Sequence, residues 1–208
     1  MKTIKHFIWD FDGTLADTYP NLVRYLTLAL ADFGKTADPV EILEKMMETI
    51  GYSIQWYSDY YQLPDLNKRY DYHYALGKTD PVVAFENVTA VLEQIQRSGA
   101  HNYIFTNRGE TLDALLDRME LRNYFTEIIK AGDPEFAYKP SPKPILYIME
   151  KYGGTKENTA MVGDRKCDLE SGYQAGCRTI HLLTPAVPQY PPCDWRIQNF
   201  QEMLDMLK

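Results

Sequence analysis

Phe7-Ile8-Trp9-Asp10-Phe11-Asp12-Gly13-Thr14 is the stretch that decides how this chain folds. Three apolar residues in a row, followed by turn chemistry, predict a short strand buried on both faces, as in a parallel sheet. Two carboxylates one residue apart stand where that strand ends, and Gly13 lets the chain leave sharply. In an open α/β sheet, ligands bind outside the carboxyl ends of the strands. Like charges this close disfavour each other's ionisation, so a pair kept ionised needs a cation or hydrogen-bond donors beside it. Taken alone, the stretch is also readable as a solvated loop with an Asp-Gly turn.

Working outward, residues 4–10 form the first expected strand, and residues 19–77 carry only helical signals. Asp17-Thr18 precedes Pro20 and the helically spaced Leu22, Val23, Leu26 and Leu30, a helix start with proline just inside it. Asp38-Pro39 opens a second helix with Ile42, Leu43, Met46 and Met47. Gly51 is expected to interrupt, a third helix to run from Ile54 through Tyr61, and a fourth to run from Pro64 to about Leu76. Beyond Pro81 the pattern alternates. Helices are expected at 83–97, 110–119, 144–152, 168–175 and 200–207, and strands at 102–106, 127–131, 159–162 and 179–183. A surface loop is expected at 185–192, before a short segment at 194–197. Strands alternating with helices imply a doubly wound parallel sheet. The fold class is therefore α/β, a Rossmann-like core of residues 1–16 plus 80–208 with an inserted all-helical cap domain at 17–79. The linkers at 17–20 and 77–81 are the expected hinges.

Composition bounds the function. The chain has 208 residues, 45% of them hydrophobic and 25% charged, as in an ordinary globular protein with room for one core and a smaller appended unit. A net charge of −7 argues against a nucleic-acid partner, which needs clustered Lys and Arg. No signal peptide and no transmembrane stretch are expected. Cys167, Cys177 and Cys193 are odd in number and lack metal-ligand spacing, so neither a disulfide framework nor a zinc site is expected, and the cytoplasm is the default compartment. Cys167 reads as packing.

Three further segments follow the first in order. Ile104-Phe105-Thr106-Asn107 ends an apolar run on a hydroxyl and an amide. Lys139-Pro140-Ser141-Pro142 places a lysine before a proline-stiffened helix start. Met161-Val162-Gly163-Asp164-Arg165-Lys166-Cys167-Asp168 ends a strand in a glycine and two more aspartates. Together with the first stretch these resemble the four signature motifs of the haloacid dehalogenase superfamily, in order and across nearly the whole chain. The branch they are most similar to is that of the phosphoglycolate-phosphatase-like phosphatases.

The resemblance implies a Mg²⁺-dependent phosphatase acting on a small phosphorylated metabolite. Asp10 would be the nucleophile that forms an aspartyl-phosphate, and Asp12 would protonate the leaving oxygen and then activate water. Relatives with hydrophobic chemistry at the position of Asp12 resemble dehalogenases, and those with alanine there resemble phosphonatases, so an aspartate favours phosphate esters. Thr106 and Asn107 would hold the phosphoryl group, and Lys139 would bridge nucleophile and phosphate. Lys143-Pro144 repeats the Lys-Pro pair, but only Lys139 fits the family spacing with its second proline. By the same resemblance the Asp10 carboxylate, the Asp12 backbone carbonyl and Asp164 ligate Mg²⁺, with Asp168 behind them orienting a metal-bound water or Lys139. Arg108 could reach substrate, but reads more readily as an exposed arginine, and Arg165 and Lys166 read as free variation between the aspartates.

In relatives, a loop between cap helices selects the substrate, and Ile50-Gly51-Tyr52-Ser53 is the candidate: Gly51 for the turn, Tyr52 and Ser53 to face substrate. The same residues also read as a loop with a helix N-cap. The tyrosines at 57, 60, 61, 70, 72 and 74 read as cement for a small core, and His73 as structural. A sugar phosphomutase of the same superfamily (β-phosphoglucomutase-like) is the alternative function. A signalling receiver lacks a helical insertion after its first strand, and a scaffold without turnover would not need every motif position filled. The expected assembly is a monomer or weak homodimer.

Overall fold

The computed structural model describes Met1, residues 3–183 and residues 192–208. Nearly all of the expected 185–192 loop lies outside the described residues. The chain divides into two compact units, one of Met1–Asp17 with the described residues from Val83 onward, the other of Thr18–Val82.

The first unit begins with β1 (His6–Trp9) and β2 (Ala16–Asp17), after which the chain builds α1 (Tyr19–Ala31), α2 (Pro39–Glu48), α3 (Ile50–Tyr61) and α4 (Leu66–Leu76) of the second unit. It returns through β3 (Val83–Ala84) and α5 (Val88–Arg97), then β4 (His101–Phe105), α6 (Leu112–Arg118), β5 (Phe125–Ile129) and α7 (Lys143–Tyr152). β6 (Thr159–Gly163), α8 (Lys166–Ala175), β7 (Arg178–Leu182), β8 (Trp195–Ile197) and α9 (Phe200–Leu207) complete it. The main sheet has the order β5-β4-β1-β6-β7-β8, with every neighbouring pair parallel.

β1 is the central constraint of this sheet. All four of its residues are buried, which is why Phe7, Ile8 and Trp9 are apolar without alternation. Ile8 joins Tyr103, Phe105, Ile145, Ile148 and Met161 in one cluster, sealing the face covered by α7. Trp9 points the other way, its ring 6.1 Å from that of Phe200 on α9. Its indole N–H donates to Asn102 Oδ1 at 3.0 Å, and the Asn102 amide donates to the Leu92 carbonyl of α5 at 3.2 Å. From β1 the strand order grows one way through β4 and β5 and the other way through β6, β7 and β8. That reversal opens a crevice at the carboxyl ends of β4, β1 and β6, where such sheets take ligands.

Two expectations are corrected in this unit. Residues 83–97 are not one helix: Val83 and Ala84 form β3, which pairs antiparallel with β2 in the register Ala16↔Ala84 and Asp17↔Val83. Asn87, at φ +65°, then turns the chain into α5. The segment at 194–197 is strand β8, parallel to β7, held where Asp194 accepts the Thr179 backbone N–H at 2.9 Å and pairs with Arg178 at 2.7 Å.

The second unit is four helices around Leu22, Leu26, Leu30, Ile42, Met46, Ile54, Tyr57, Leu66 and Tyr70. Asp38 caps α2, accepting the Val40 N–H at 2.8 Å. The expected break at Gly51 is absent. Thr49 is extended at φ −159°, and its hydroxyl accepts the Tyr52 N–H at 2.9 Å, so α3 starts at Ile50 and residues 50–53 are its first turn rather than a loop. A threonine N-cap outweighs one glycine in a first turn. α4 likewise begins at Leu66, two residues after Pro64. Tyr57 and Tyr70 are buried in this core, whereas Tyr60 and Tyr72 are exposed. His73 ties α4 to the end of α1, its Nε2 2.8 Å from Asp32. No described helix is long and apolar enough to cross a membrane.

The Trp9–Asn102 bond gives a direct test of the core. Asn102→Ala orphans a buried indole N–H, which costs about 1–3 kcal/mol, at about 2–4 °C of Tm per kcal/mol for a chain of this size. In a Trp9→Phe background the same substitution should cost distinctly less, and equal losses in a double-mutant cycle would show that the bond contributes nothing.

Candidate active site

The crevice is built from four chain segments. Asp10 follows β1 and continues its ladder, its N–H donating to the Val162 carbonyl at 2.9 Å. The chain then closes a tight loop in which the Phe11 carbonyl accepts the N–H groups of Thr14, Leu15 and Ala16. Gly13, at φ +75°, occupies the left-handed corner that a side chain would strain. This loop turns the Thr14 hydroxyl onto Asp164, donating to Oδ1 at 2.9 Å.

Thr106 follows β4 and is buried. Its Oγ1 accepts the Arg108 N–H at 3.2 Å. Asn107 accepts the Lys139 N–H on its amide oxygen at 2.8 Å, fastening the loop before α7 to the end of β4. Lys139 is thereby delivered with no side-chain exposure, its ammonium donating to Asp10 Oδ1 and to Asp168 Oδ1, each at 2.5 Å. Lys143 instead lies exposed in the first turn of α7.

After β6, Gly163 leads into Asp164, Arg165 and α8. A Cβ on Gly163 would stand 2.2 Å from the Cβ of Asp168, so glycine is what lets α8 seat its aspartate against the strand end. Asp168 Oδ2 accepts the Arg165 N–H at 2.9 Å, and the Asp164 carbonyl accepts from His181 Nε2 at 3.1 Å. Burial holds the His181 imidazole below its ordinary range.

The electrostatics follow from burying these charges together. Burial raises the Asp10 carboxyl, the Asp168 charge adds to that, and Lys139 and Arg165 oppose it. Burial would lower the Lys139 ammonium, but Asp10 and Asp168 outweigh it and raise it well above the ordinary lysine range. Lys139 therefore stays charged. Cys167 is pushed up to about 12, by burial first and then by Asp168, so it is a protonated, inert thiol.

Two arginines join the site that the sequence did not assign to it. Arg108, expected exposed, is buried, with guanidinium and partner carboxylate each only 7% exposed. Its Nε donates to both oxygens of Asp12, at 2.9 and 3.0 Å, and Nη2 donates to Oδ1 at 2.5 Å. Arg165 is also buried, with Nη2 3.7 Å from Asp10 Oδ2. Asp10, Asp12, Thr106, Asn107, Lys139, Asp164 and Asp168 thus all fall in this one crevice of the first unit. Gly51, Tyr52 and Ser53 belong to α3 of the second unit: Tyr52 is exposed, and the Ser53 hydroxyl is buried, donating to the Ile42 carbonyl at 3.4 Å.

The crevice also fits a divalent cation. Asp10, Asp164 and Asp168 are buried and can bring one carboxylate oxygen each within 4.8 Å of one another, and Asp10 Oδ2 accepts no hydrogen bond. Both oxygens of Asp168 are engaged, by Lys139 and by the Arg165 N–H. Hard carboxylate oxygens in small number, with room for waters and phosphate, suit Mg²⁺.

The family model for haloacid dehalogenase-like hydrolases matches residues 7–182. A phosphoglycolate phosphatase of Aliivibrio fischeri is 29% identical over 196 residues, covering 87% of this chain and 85% of its own. Among solved structures, a protein from Haemophilus somnus described as a predicted phosphoglycolate phosphatase superposes with a TM-score of 0.83 at 21% identity, with full coverage of both chains. A hydrolase from Streptococcus pneumoniae gives 0.69 at 28% identity, covering 99% of this chain and 100% of that one. With those matches and this crevice, the chain belongs to the haloacid dehalogenase-like hydrolases, and within them it is a phosphatase of the phosphoglycolate-phosphatase-like branch.

Proposed function

We propose that this phosphatase hydrolyses a small phosphate monoester through an aspartyl-phosphate on Asp10. The observation that carries the proposal is the fully buried Lys139 ammonium bonded to Asp10, with a second carboxylate, Asp12, two residues away. A carboxylate nucleophile needs to be ionised and aimed, and an immobile ammonium at hydrogen-bond distance does both.

In the first half-reaction an Asp10 oxygen bonds to phosphorus while the ester P–O bond breaks. The departing oxygen takes its proton from Asp12. The Thr106 hydroxyl and the Asn107 amide hold the phosphoryl oxygens. With the amide oxygen taken by the Lys139 N–H, Asn107 turns its NH₂ outward as a donor. In the second half-reaction water attacks the acyl-phosphate phosphorus, its proton passes to Asp12, and inorganic phosphate leaves Asp10 restored. Asp10, Asp164 and the Asp12 carbonyl would hold Mg²⁺, with Asp168 behind them bracing Lys139. Bound there, Mg²⁺ supplies charge neutralisation for the phosphoryl group. Three free cysteine thiols suit a reducing cytoplasm.

Phosphate release should be screened over phosphoglycolate, sugar phosphates, nucleoside monophosphates and an aryl phosphate, with and without Mg²⁺. Asp10→Asn should abolish release, and Asp12→Ala should lose more than about a hundredfold in rate while remaining folded. Near-normal turnover by Asp10→Asn would refute the covalent route. Release only in the presence of a sugar bisphosphate would reassign the enzyme as a mutase.

Metal binding has its own readout. Mg²⁺ at a hundredfold its Kd should add about 2.7 kcal/mol of stability, a Tm rise of roughly 5–10 °C for a chain of this size. Asp164→Asn should lose most of that rise. An undiminished rise in this variant would place the metal elsewhere.

A further inference from the structure

Between the end of β6 at Gly163 and the start of α8 at Lys166 stand only Asp164 and Arg165. The strand pairing stops short of both. Val162 is the last residue of β6 paired with β1, opposite Trp9, and Gly163 the last paired with β7, opposite His181. Asp164 is therefore carried on a bend outside the ladder, directly after a glycine whose missing side chain makes room for Asp168.

The peptide bond joining Asp164 to Arg165 is held at both ends. Its carbonyl accepts from His181 Nε2 at 3.1 Å, and its N–H donates to Asp168 Oδ2 at 2.9 Å. A peptide group is planar, so bonds at its two ends fix its orientation and leave the Asp164 Cα little freedom. The Thr14 hydroxyl then settles the carboxylate itself, donating to Oδ1 at 2.9 Å.

His181 has no other evident reason to be where it is. It is a fully buried polar side chain between Ile180 and Leu182 of β7, a place that an apolar residue would fill. A carbonyl can only accept, so Nε2 carries the hydrogen, and burial keeps the imidazole below its ordinary range. It is a neutral donor, which pins the peptide without adding a cation beside the carboxylate.

We propose that His181 is a positioning residue for the divalent cation: by holding the Asp164–Arg165 peptide, it fixes the direction in which the Asp164 carboxylate is presented to Mg²⁺. This deepens the proposed function and rests on Asp164 being a ligand. Groups that hold metal ligands by hydrogen bonds are worth about tenfold to a hundredfold in metal affinity.

The Kd for Mg²⁺ alone is read from the rise of Tm with metal concentration, in wild type, His181→Phe, His181→Gln, Asp164→Asn and Asn102→Ala. Phenylalanine keeps a planar ring without the donor, whereas a glutamine amide places an N–H where Nε2 stood. His181→Phe should weaken Mg²⁺ about tenfold or more, and His181→Gln less than about threefold. Asn102→Ala, whose lost bonds lie among β1, β4 and α5, should lower Tm and keep the wild-type affinity. A loss of affinity in His181→Phe no larger than that in Asn102→Ala would overturn the proposal and leave His181 a packing residue. Equal losses in His181→Phe and His181→Gln would overturn it as well, because the donor would then not be what matters. Failure of the metal site reads differently: wild type would show no rise, or Asp164→Asn an undiminished one, and the proposal would fall with the site. If His181→Phe does not fold, His181→Asn, whose amide ends a bond short of the carbonyl, takes its place.

Discussion

Everything in the crevice depends on burying one ammonium between two carboxylates. Lys139, Asp10 and Asp168 have no side-chain exposure, and an ion taken out of water is tolerated only when its partners and hydrogen bonds replace the water it loses. Each member of the triad is therefore fixed by something else. Asp10 is the residue after a strand buried on both faces, Asp168 is pressed against Gly163 and tied to the Arg165 N–H, and Lys139 is held through its own backbone by Asn107. Remove one partner and the others are left as unmatched buried charge, which is why such a cluster is rigid.

Charge balance extends the same constraint to the ligands. Asp10, Asp12, Asp164 and Asp168 face Lys139, Arg108 and Arg165, so the crevice carries one formal negative charge more than positive. A phosphate dianion would be repelled by that excess. A divalent cation reverses it to one positive, and the dianion then enters a field of the right sign. The net charge of −7 over the whole chain has no bearing on this balance, because the deciding charges are local.

Much of this was legible in the sequence because it is written in short, contiguous signals. Apolar runs ending in Asp10, Thr106 and Asp164 mark strands by their length and the site residues by their position, and α9 at Phe200–Leu207 lies where the pattern puts it. What was not legible depends on partners far along the chain. Arg108 meets Asp12 across a separation of 96 residues, and nothing in its neighbours distinguishes it from a surface arginine. β2 and β3 are two residues each, too short for any periodicity to register. At Gly51 two local signals competed, and the Thr49 cap outweighed the glycine.

The β2–β3 ribbon has a consequence for how the two units are joined. The chain leaves the first unit at Asp17 and re-enters it at Val83, and these two residues are register partners in one antiparallel pair. An insertion of some sixty residues is thereby tied off at its base, with the Phe85 N–H donating to the Leu15 carbonyl just behind the pair at 3.1 Å. The same short segment, Asp10 to Asp17, carries both carboxylates of the first motif at one end and the exit strand at the other. The ribbon at the base of the insertion thus shares its backbone with the loop that carries Asp10, Asp12 and Thr14.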